Sequence, residues 1–240
     1  MTEMNENVVI SDCGDSAVLT RAVRGDTERR WEVVHALADA IEAAQLDGVH
    51  GIVPTYEALL VEFDCARTDH RVVRRAIAEA AGQLDRLPGT RPAPKHFVVP
   101  VVYGGEFGPD LSIVAEQLGL AEQEVVELHS GAGLTVRCLG APVGAPMMDG
   151  PPFGKPVPRL ASPRTSVPSG SIAVAGRQAV ICPMRSPGGW PLLGRTPLRI
   201  LDLDAEPLTS YRPGDRFRFV PITPEQWADH DGRPLEASDG

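Results

Sequence analysis

The chain has 240 residues, 23 Lys+Arg against 32 Asp+Glu and a formal net charge of −9. Its 42% apolar and 23% charged residues are ordinary globular usage, which excludes wholesale disorder, and at roughly 150 residues per domain the length allows one large domain or two small ones. The acidic balance argues against nucleic acid or an anionic membrane as the main partner, since both need a basic footprint. The longest run free of Asp, Glu, Lys and Arg is 165–176, far short of the about 20 apolar residues that span a bilayer. The start, Met1-Thr2-Glu3-Met4-Asn5-Glu6, is acidic and polar, unlike a secretory leader. A soluble cytoplasmic protein is expected.

In chain order, Val8-Val9-Ile10 and Ala17-Val18-Leu19, split by Asp12-Cys13-Gly14-Asp15, read as a short hairpin. Asp26 can cap a helix whose apolar stripe is Trp31, Val34, Leu37, Ala38 and Ile41. Residues 51–54 and 57–63 read as strands, and Thr68 or Asp69 can open a second helix with Val72, Val73, Ala76, Ile77, Ala80 and Leu84 inward. This alternation fits an α+β ferredoxin-like sandwich over residues 1–90, with both helices on one face of an antiparallel sheet. Leu87-Pro88-Gly89-Thr90-Arg91-Pro92-Ala93-Pro94 is the linker, since its three prolines forbid helix and central strand.

Beyond it, 97–103 reads as a strand and 111–118 and 122–129 as two short helices joined at Gly119-Leu120. Residues 139–197 hold 12 prolines and 9 glycines among 59 positions. Apolar pieces at 171–175, 179–182 and 198–203 nevertheless punctuate the turns, and 216–220 alternates strictly. Short strands between Pro/Gly turns fit a closed, mostly β barrel over 91–240, with a helical pair near 110–130.

Most catalytic signatures are missing. The helical pair has helix-turn-helix spacing but carries Asp110, Glu116, Glu122, Glu124 and Glu127 and no Lys or Arg, so it would repel phosphates. Gly150 to Gly154-Lys155 lacks the spacing and the hydroxyl of a phosphate loop, Gly131-Ala132-Gly133 lacks a third glycine, and no GxSxG elbow occurs. Cys13, Cys65, Cys138 and Cys182 lie 52, 73 and 44 residues apart without a CxxC pair. No metal site is expected, and reduced, mostly buried thiols are. His129 ends a helix before a glycine-rich turn, where a protonated imidazole is favoured by the helix C-terminus; a cap or core role stands beside a catalytic one. The densest cluster is Ser186-Pro187-Gly188-Gly189-Trp190-Pro191-Leu192-Leu193-Gly194-Arg195-Thr196-Pro197. Gly188-Gly189 allows close backbone approach or positive φ, Trp190 offers a flat apolar wall, and Arg195 is a planar donor fork for carboxylate or phosphate. A turn with a core Trp and a surface ion pair is the alternative for the same residues.

Tyr103-Gly104-Gly105-Glu106-Phe107-Gly108-Pro109-Asp110-Leu111 closely resembles a signature of the allophanate hydrolase subunit 1 family, which includes the B-type subunits of 5-oxoprolinase and the sporulation-kinase inhibitor KipI. Ala161-Ser162-Pro163-Arg164, the block from Val167-Pro168-Ser169-Gly170 to Ala175-Gly176, and 186–197 resemble three further blocks in order, with weaker matches at Gly14-Asp15-Ser16-Ala17 and Ile52-Val53-Pro54-Thr55-Tyr56. The resemblance implies a ferredoxin-like domain followed by a cyclophilin-like barrel. It also implies a sister subunit with a related barrel and, with a third subunit, ATP-dependent opening of 5-oxoproline. No cofactor is expected in this chain itself, ATP entering through a partner; a homo-oligomer is the other partner arrangement.

One loop departs from the family pattern. Where Leu-Gly-Phe-x-Pro-Gly-Phe-Pro-Tyr-Leu is usual, this chain reads Leu139-Gly140-Ala141-Pro142-Val143-Gly144-Ala145-Pro146-Met147-Met148. Gln178-Ala179-Val180-Ile181-Cys182-Pro183 likewise replaces Gln-Thr-Gly-x-Tyr-Pro. Each lost ring removes about 150 Å² or more of contact area. The candidate catalytic residues are Arg195, Arg164 and His129. The candidate substrate-binding residues are Trp190, Gln178, Gly188, Gly189, Ala141, Ala145, Met147 and Met148. Arg164, Gln178, Trp190 and Arg195 are expected to converge on one cavity roofed by 141–148. Two functions fit: a subunit of an ATP-dependent amide-opening complex, or a stand-alone barrel whose enlarged apolar pocket holds a bulky hydrophobe, such as a natural-product cyclase acting by restricting conformation.

Overall fold

A computed structural model describes residues 2–4, 6–84 and 93–238. The chain divides into two compact units, Met1–Pro92 and Ala93–Gly240. Most of the proline-rich linker, residues 87–92, lies outside the described residues.

The first unit runs β1 (Thr2–Met4), β2 (Val8–Asp12), β3 (Ala17–Ala22), α1 (Thr27–Ala43), β4 (Val49–Pro54), β5 (Ala58–Phe63) and α2 (His70–Ala81). Each helix starts where a carboxylate satisfies its first orphan amides. Asp26 accepts from Arg29 N at 2.8 Å, and Asp69 accepts from Arg71 N and Val72 N. Strand alternation turns Val8, Ile10, Val18, Leu59, Val61 and Phe63 to one face, where α1 and α2 cover them. The stripe of α1 is buried as its 3–4 spacing predicts, whereas Val72 of α2 is 37% exposed. The sheet is antiparallel throughout, in the order β1-β2-β3-β5-β4. A split βαβ unit would place beside β3 a strand following α2. Here β2 of the opening hairpin takes that place, and the next strand belongs to the second unit.

The second unit contains β6 (His96–Tyr103), α3 (Leu111–Leu118), α4 (Glu122–Gly131), β7 (Gly133–Gly140), β8 (Ala145–Asp149), β9 (Arg164–Val167), β10 (Ser171–Ala175), β11 (Gln178–Ile181), β12 (Ser186–Gly188), β13 (Leu192–Arg195), β14 (Arg216–Pro221) and α5 (Trp227–His230). Seven strands close a barrel in the order β10-β11-β8-β7-β14-β6-β13, with β13 returning to β10. All its pairings are antiparallel except β14 with β6. Phe97, Val99, Val101, Val136, Ile172 and Phe219 belong to its buried core, which Leu111, Val114 and Val125 of the helical pair extend. Strands β9 and β12 form a separate two-stranded ribbon, Gly188 opposite Arg164 and Ser186 opposite Val167.

Residues 198–203, expected as a strand, make no ladder. Pro197 donates no hydrogen bond and Asp202 is drawn into a local turn with Arg199, so the segment keeps only an isolated bridge from Arg199 to Pro234. Its apolar pattern reflects burial instead: Ile200 and Leu201 are 3% and 7% exposed. No described helix is long and apolar enough to cross a membrane.

Candidate functional site

The Tyr103-to-Leu111 segment leaves β6 and zips against β13. Gly104 N donates to Leu193 O at 3.0 Å, and Asp110 N to Leu192 O at 3.2 Å. Gly108 lies so close to the facing strand that a Cβ would stand 1.9 Å from the Leu193 carbonyl oxygen. Gly104 takes φ +68° in the turn, a conformation costly for any residue with a side chain. Asp110 opens α3 but makes no cap hydrogen bond there. Its carboxylate, 3% exposed, accepts from Leu192 N at 2.8 Å and from Arg164 Nη2 at 2.7 Å. One buried anion thus ties together a helix start, a barrel strand and the ribbon, and Arg164 is engaged by an ion pair. Its Nη1 is buried with no hydrogen-bond partner.

Arg195 is held differently. Its Nε donates to Ser169 O at 2.8 Å, and its guanidinium lies 5.3 Å from the Trp227 ring centroid. Trp227 is braced by Phe107 at 5.0 Å and by an Nε1–H bond to Asp231. Among the described residues no carboxylate lies within ion-pair distance of Arg195. Its terminal nitrogens are therefore oriented, half-buried and uncommitted, the arrangement that binds a planar anion bidentately.

The other candidates do not gather around it. Gln178 pairs with Ala175 at one end of β10 and Arg195 with Ser171 at the other, so about 13 Å of strand separates them. Gln178 lines a space of about 10 Å³ with Pro151, Phe153, Lys155 and Arg177, room for about one water. Trp190 sits beneath Arg159, 5.8 Å from its guanidinium, and packs against a cluster of Ala145, Val167, Ala173, Val180 and Leu192 together with Met147. The expected roof is split by strand alternation: Met147 joins this outer cluster, Met148 enters the barrel core, and Ala141 is exposed in a turn. Ala145 is 1% exposed, so its neighbours close around that one position. A groove of about 400 Å³ lies elsewhere, lined by Val98, Pro100, Val220, Ile222, His230 and Arg233. Neither Gly188 nor Gly189 takes a positive φ. Gly189 packs against Pro163 and accepts from Leu160 N, so the pair ties the end of β12 to the segment that leads into β9.

His129 is a core residue. It is fully buried, its Nδ1 is 2.7 Å from the Tyr103 hydroxyl, its ring lies 4.5 Å from Phe219, and its Nε2 has no partner. Desolvation drives its pKa down to about 3 and pushes the Tyr103 phenol far upward. The imidazole is neutral, so it is no cationic helix cap and no surface acid or base. Burial also pushes the Cys138 and Cys182 thiols up to about 11, while Cys13 and Cys65 are exposed, against the expectation of mostly buried thiols. The residues that sequence reasoning missed are Asp110, Ser169, Phe107 and Trp227. Asp110 and Phe107 stood inside the signature that carried the family resemblance.

The family described as carboxyltransferase domain, subdomain C and D, matches residues 8–210, and the chain belongs to it. The chain is similar to the B-type subunit of 5-oxoprolinase from Bacillus subtilis (strain 168), 33% identical over 229 residues, 91% of this chain and 94% of that protein. Among solved structures, TTHA0988 is 33% identical with a TM-score of 0.72, covering 87% of this chain and 40% of that one. The Kluyveromyces lactis urea amidolyase shares the fold at TM-score 0.80 and 17% identity, over 99% of this chain and 17% of the longer one. The bulky-hydrophobe cyclase reading gains nothing from these relatives, and Ala145, one of the positions it rested on, is packed rather than open.

Proposed function

We propose that this chain is the B-type subunit of a 5-oxoprolinase-like complex, in which it binds and orients a small carboxylate-bearing amide while a sister subunit completes the active assembly. The observation that carries this reading is the 33% identity extending over 94% of a B-type subunit of 5-oxoprolinase. The oriented Arg195 supports it, because 5-oxoproline carries one carboxylate and Arg195 offers one free fork. In this reading ATP enters through a partner subunit, and this chain, which has no Walker-type phosphate loop, contributes the binding of the amide. In this reading Arg164 is a positioning residue: through Asp110 it holds the ribbon against β13.

The test is reconstitution. The chain and its sister subunits are purified separately, mixed, and glutamate release from 5-oxoproline with ATP is followed. Turnover that requires this chain supports the proposal. Turnover undiminished by its omission, or none with every subunit present, overturns it.

A further inference from the structure

The charges of this chain are distributed unevenly. Residues 150–201 contain seven cations (Lys155, Arg159, Arg164, Arg177, Arg185, Arg195 and Arg199) and not one Asp or Glu, which leaves 16 of the 23 Lys+Arg to face all 32 Asp+Glu elsewhere. In the first unit most arginines are neutralised locally, as in Arg29–Glu32, Arg30–Glu57 and Arg71–Asp69. In the acid-free stretch only Arg164 and Arg199 find carboxylates among the described residues, Asp110 and Asp202. The stretch folds into one connected region, β10, β11 and β13 of the barrel wall together with the β9/β12 ribbon.

Around that ribbon the cations are interleaved with exposed apolar surface. Arg185, exposed, donates from Nη1 to Ser166 Oγ at 3.1 Å across the two strands, and the preceding Met184 is 39% exposed. Arg159, also exposed, lies over the half-buried Trp190, with Leu160 N tied to Gly189 O at 2.8 Å. Arg, Trp and Met are the residue types enriched in protein–protein interfaces, where lysines and carboxylates are depleted.

We propose that the β9/β12 ribbon, with Arg159, Arg185, Met184 and Trp190, is the docking surface for an acidic face of the sister subunit; this rests on the subunit reading above. Arg159 and Arg185 have no carboxylate partner among the described residues and stand exposed beside the ribbon, so an acidic surface is attracted here, while the acidic remainder of the chain repels it elsewhere. A partner protein supplies carboxylates locally. A nucleic acid would extend past the patch and meet that acidic remainder. Docking here also places the partner beside Arg195, because Ser169 accepts from Arg195 Nε and donates through its hydroxyl to Pro183 O, two residues from Arg185.

The test uses biolayer interferometry at low and physiological salt to measure association of the intact chain with its purified sister subunit. Arg159→Glu and Arg185→Glu should each raise Kd about tenfold or more, mostly through a slower on-rate with a weaker salt dependence, while melting is unchanged. Arg71→Glu, on the first unit, serves as the control and should leave Kd as it was. Wild-type binding that both ribbon reversals leave intact overturns the docking surface alone. Absence of any wild-type binding overturns the subunit reading and the docking surface with it. Tight retention of a single-stranded oligonucleotide at physiological salt, lost in the same variants, overturns the protein partner in favour of nucleic acid.

Discussion

Along β8 and β10 a single residue step separates two environments. Met148 and Ile172 enter the barrel core, while Met147 and Ala173 lie in the outer cluster beneath Trp190. The inner face is closed: Phe97, Phe217, Phe219 and a neutral His129 fill it. The outer face carries the ribbon, the Asp110 tie and the oriented Arg195. A residue's value as a site candidate therefore depended on the parity of its position in a strand more than on its chemistry. Among the aliphatic candidates alternation decided the outcome, and His129 fell to burial.

The comparison breaks most easily on the inside. Phe217→Ala should cost about 3–5 kcal/mol, because a fully buried ring leaves a cavity that the closed wall cannot collapse into. Urea unfolding checks it, and a loss under about 1 kcal/mol would mean that the wall relaxes freely. Asp110→Ala comes next, at about 2–3 kcal/mol. It strands Leu192 N and leaves the 29% exposed Arg164 side chain without its anion, and it should loosen the ribbon as read by faster amide exchange at residues 186–192.

The buried imidazole adds a pH signature. His129 titrates near 3 in the folded protein against 6.5 for an unperturbed His, so below about pH 6.5 the unfolded chain binds a proton that the folded chain refuses. Stability should fall as pH drops from 6.5 toward 3, by up to about 1.4 kcal/mol per pH unit from this group. His129→Gln should flatten that slope in urea titrations at pH 4, 5 and 6. An unchanged slope would assign the acid sensitivity to other groups. The smallest effect concerns thiols: exposed Cys13 and Cys65 should react with Ellman's reagent in the native protein, while Cys138 and Cys182 should wait for unfolding.

Much of this was legible locally. Asp26 and Asp69 marked α1 and α2 because a cap is a short-range device, and the helical pair, found at 111–118 and at 122–131, two residues past its expected end, was legible from local apolar spacing and from Gly119, which ends α3 in the left-handed conformation. What escaped was long-range. Nothing near Phe97 announces that it pairs in parallel with Phe217, and Asp110 reads as a helix cap until its carboxylate is seen turned to Leu192 and Arg164. Trp190 and Arg195 stood out as a pair in sequence, yet they diverge: one packs under Arg159, the other braces against Trp227. The aromatic losses at 141 and 145 suggested a void, which strand packing around Ala145 closes.

The contrast between a wall that stabilises and a wall that works is tested most directly at Arg195, whose contacts to Ser169 and Trp227 are superficial to the core. Arg195→Ala should be measured for melting and, in the reconstituted complex, for 5-oxoproline turnover, with Arg195→Lys alongside. Stability should stay within about 1 kcal/mol of wild type, while turnover should fall at least about tenfold, with Lys rescuing little because it lacks the planar fork. Full turnover in Arg195→Ala, or a collapse of its melting transition, would contradict the account.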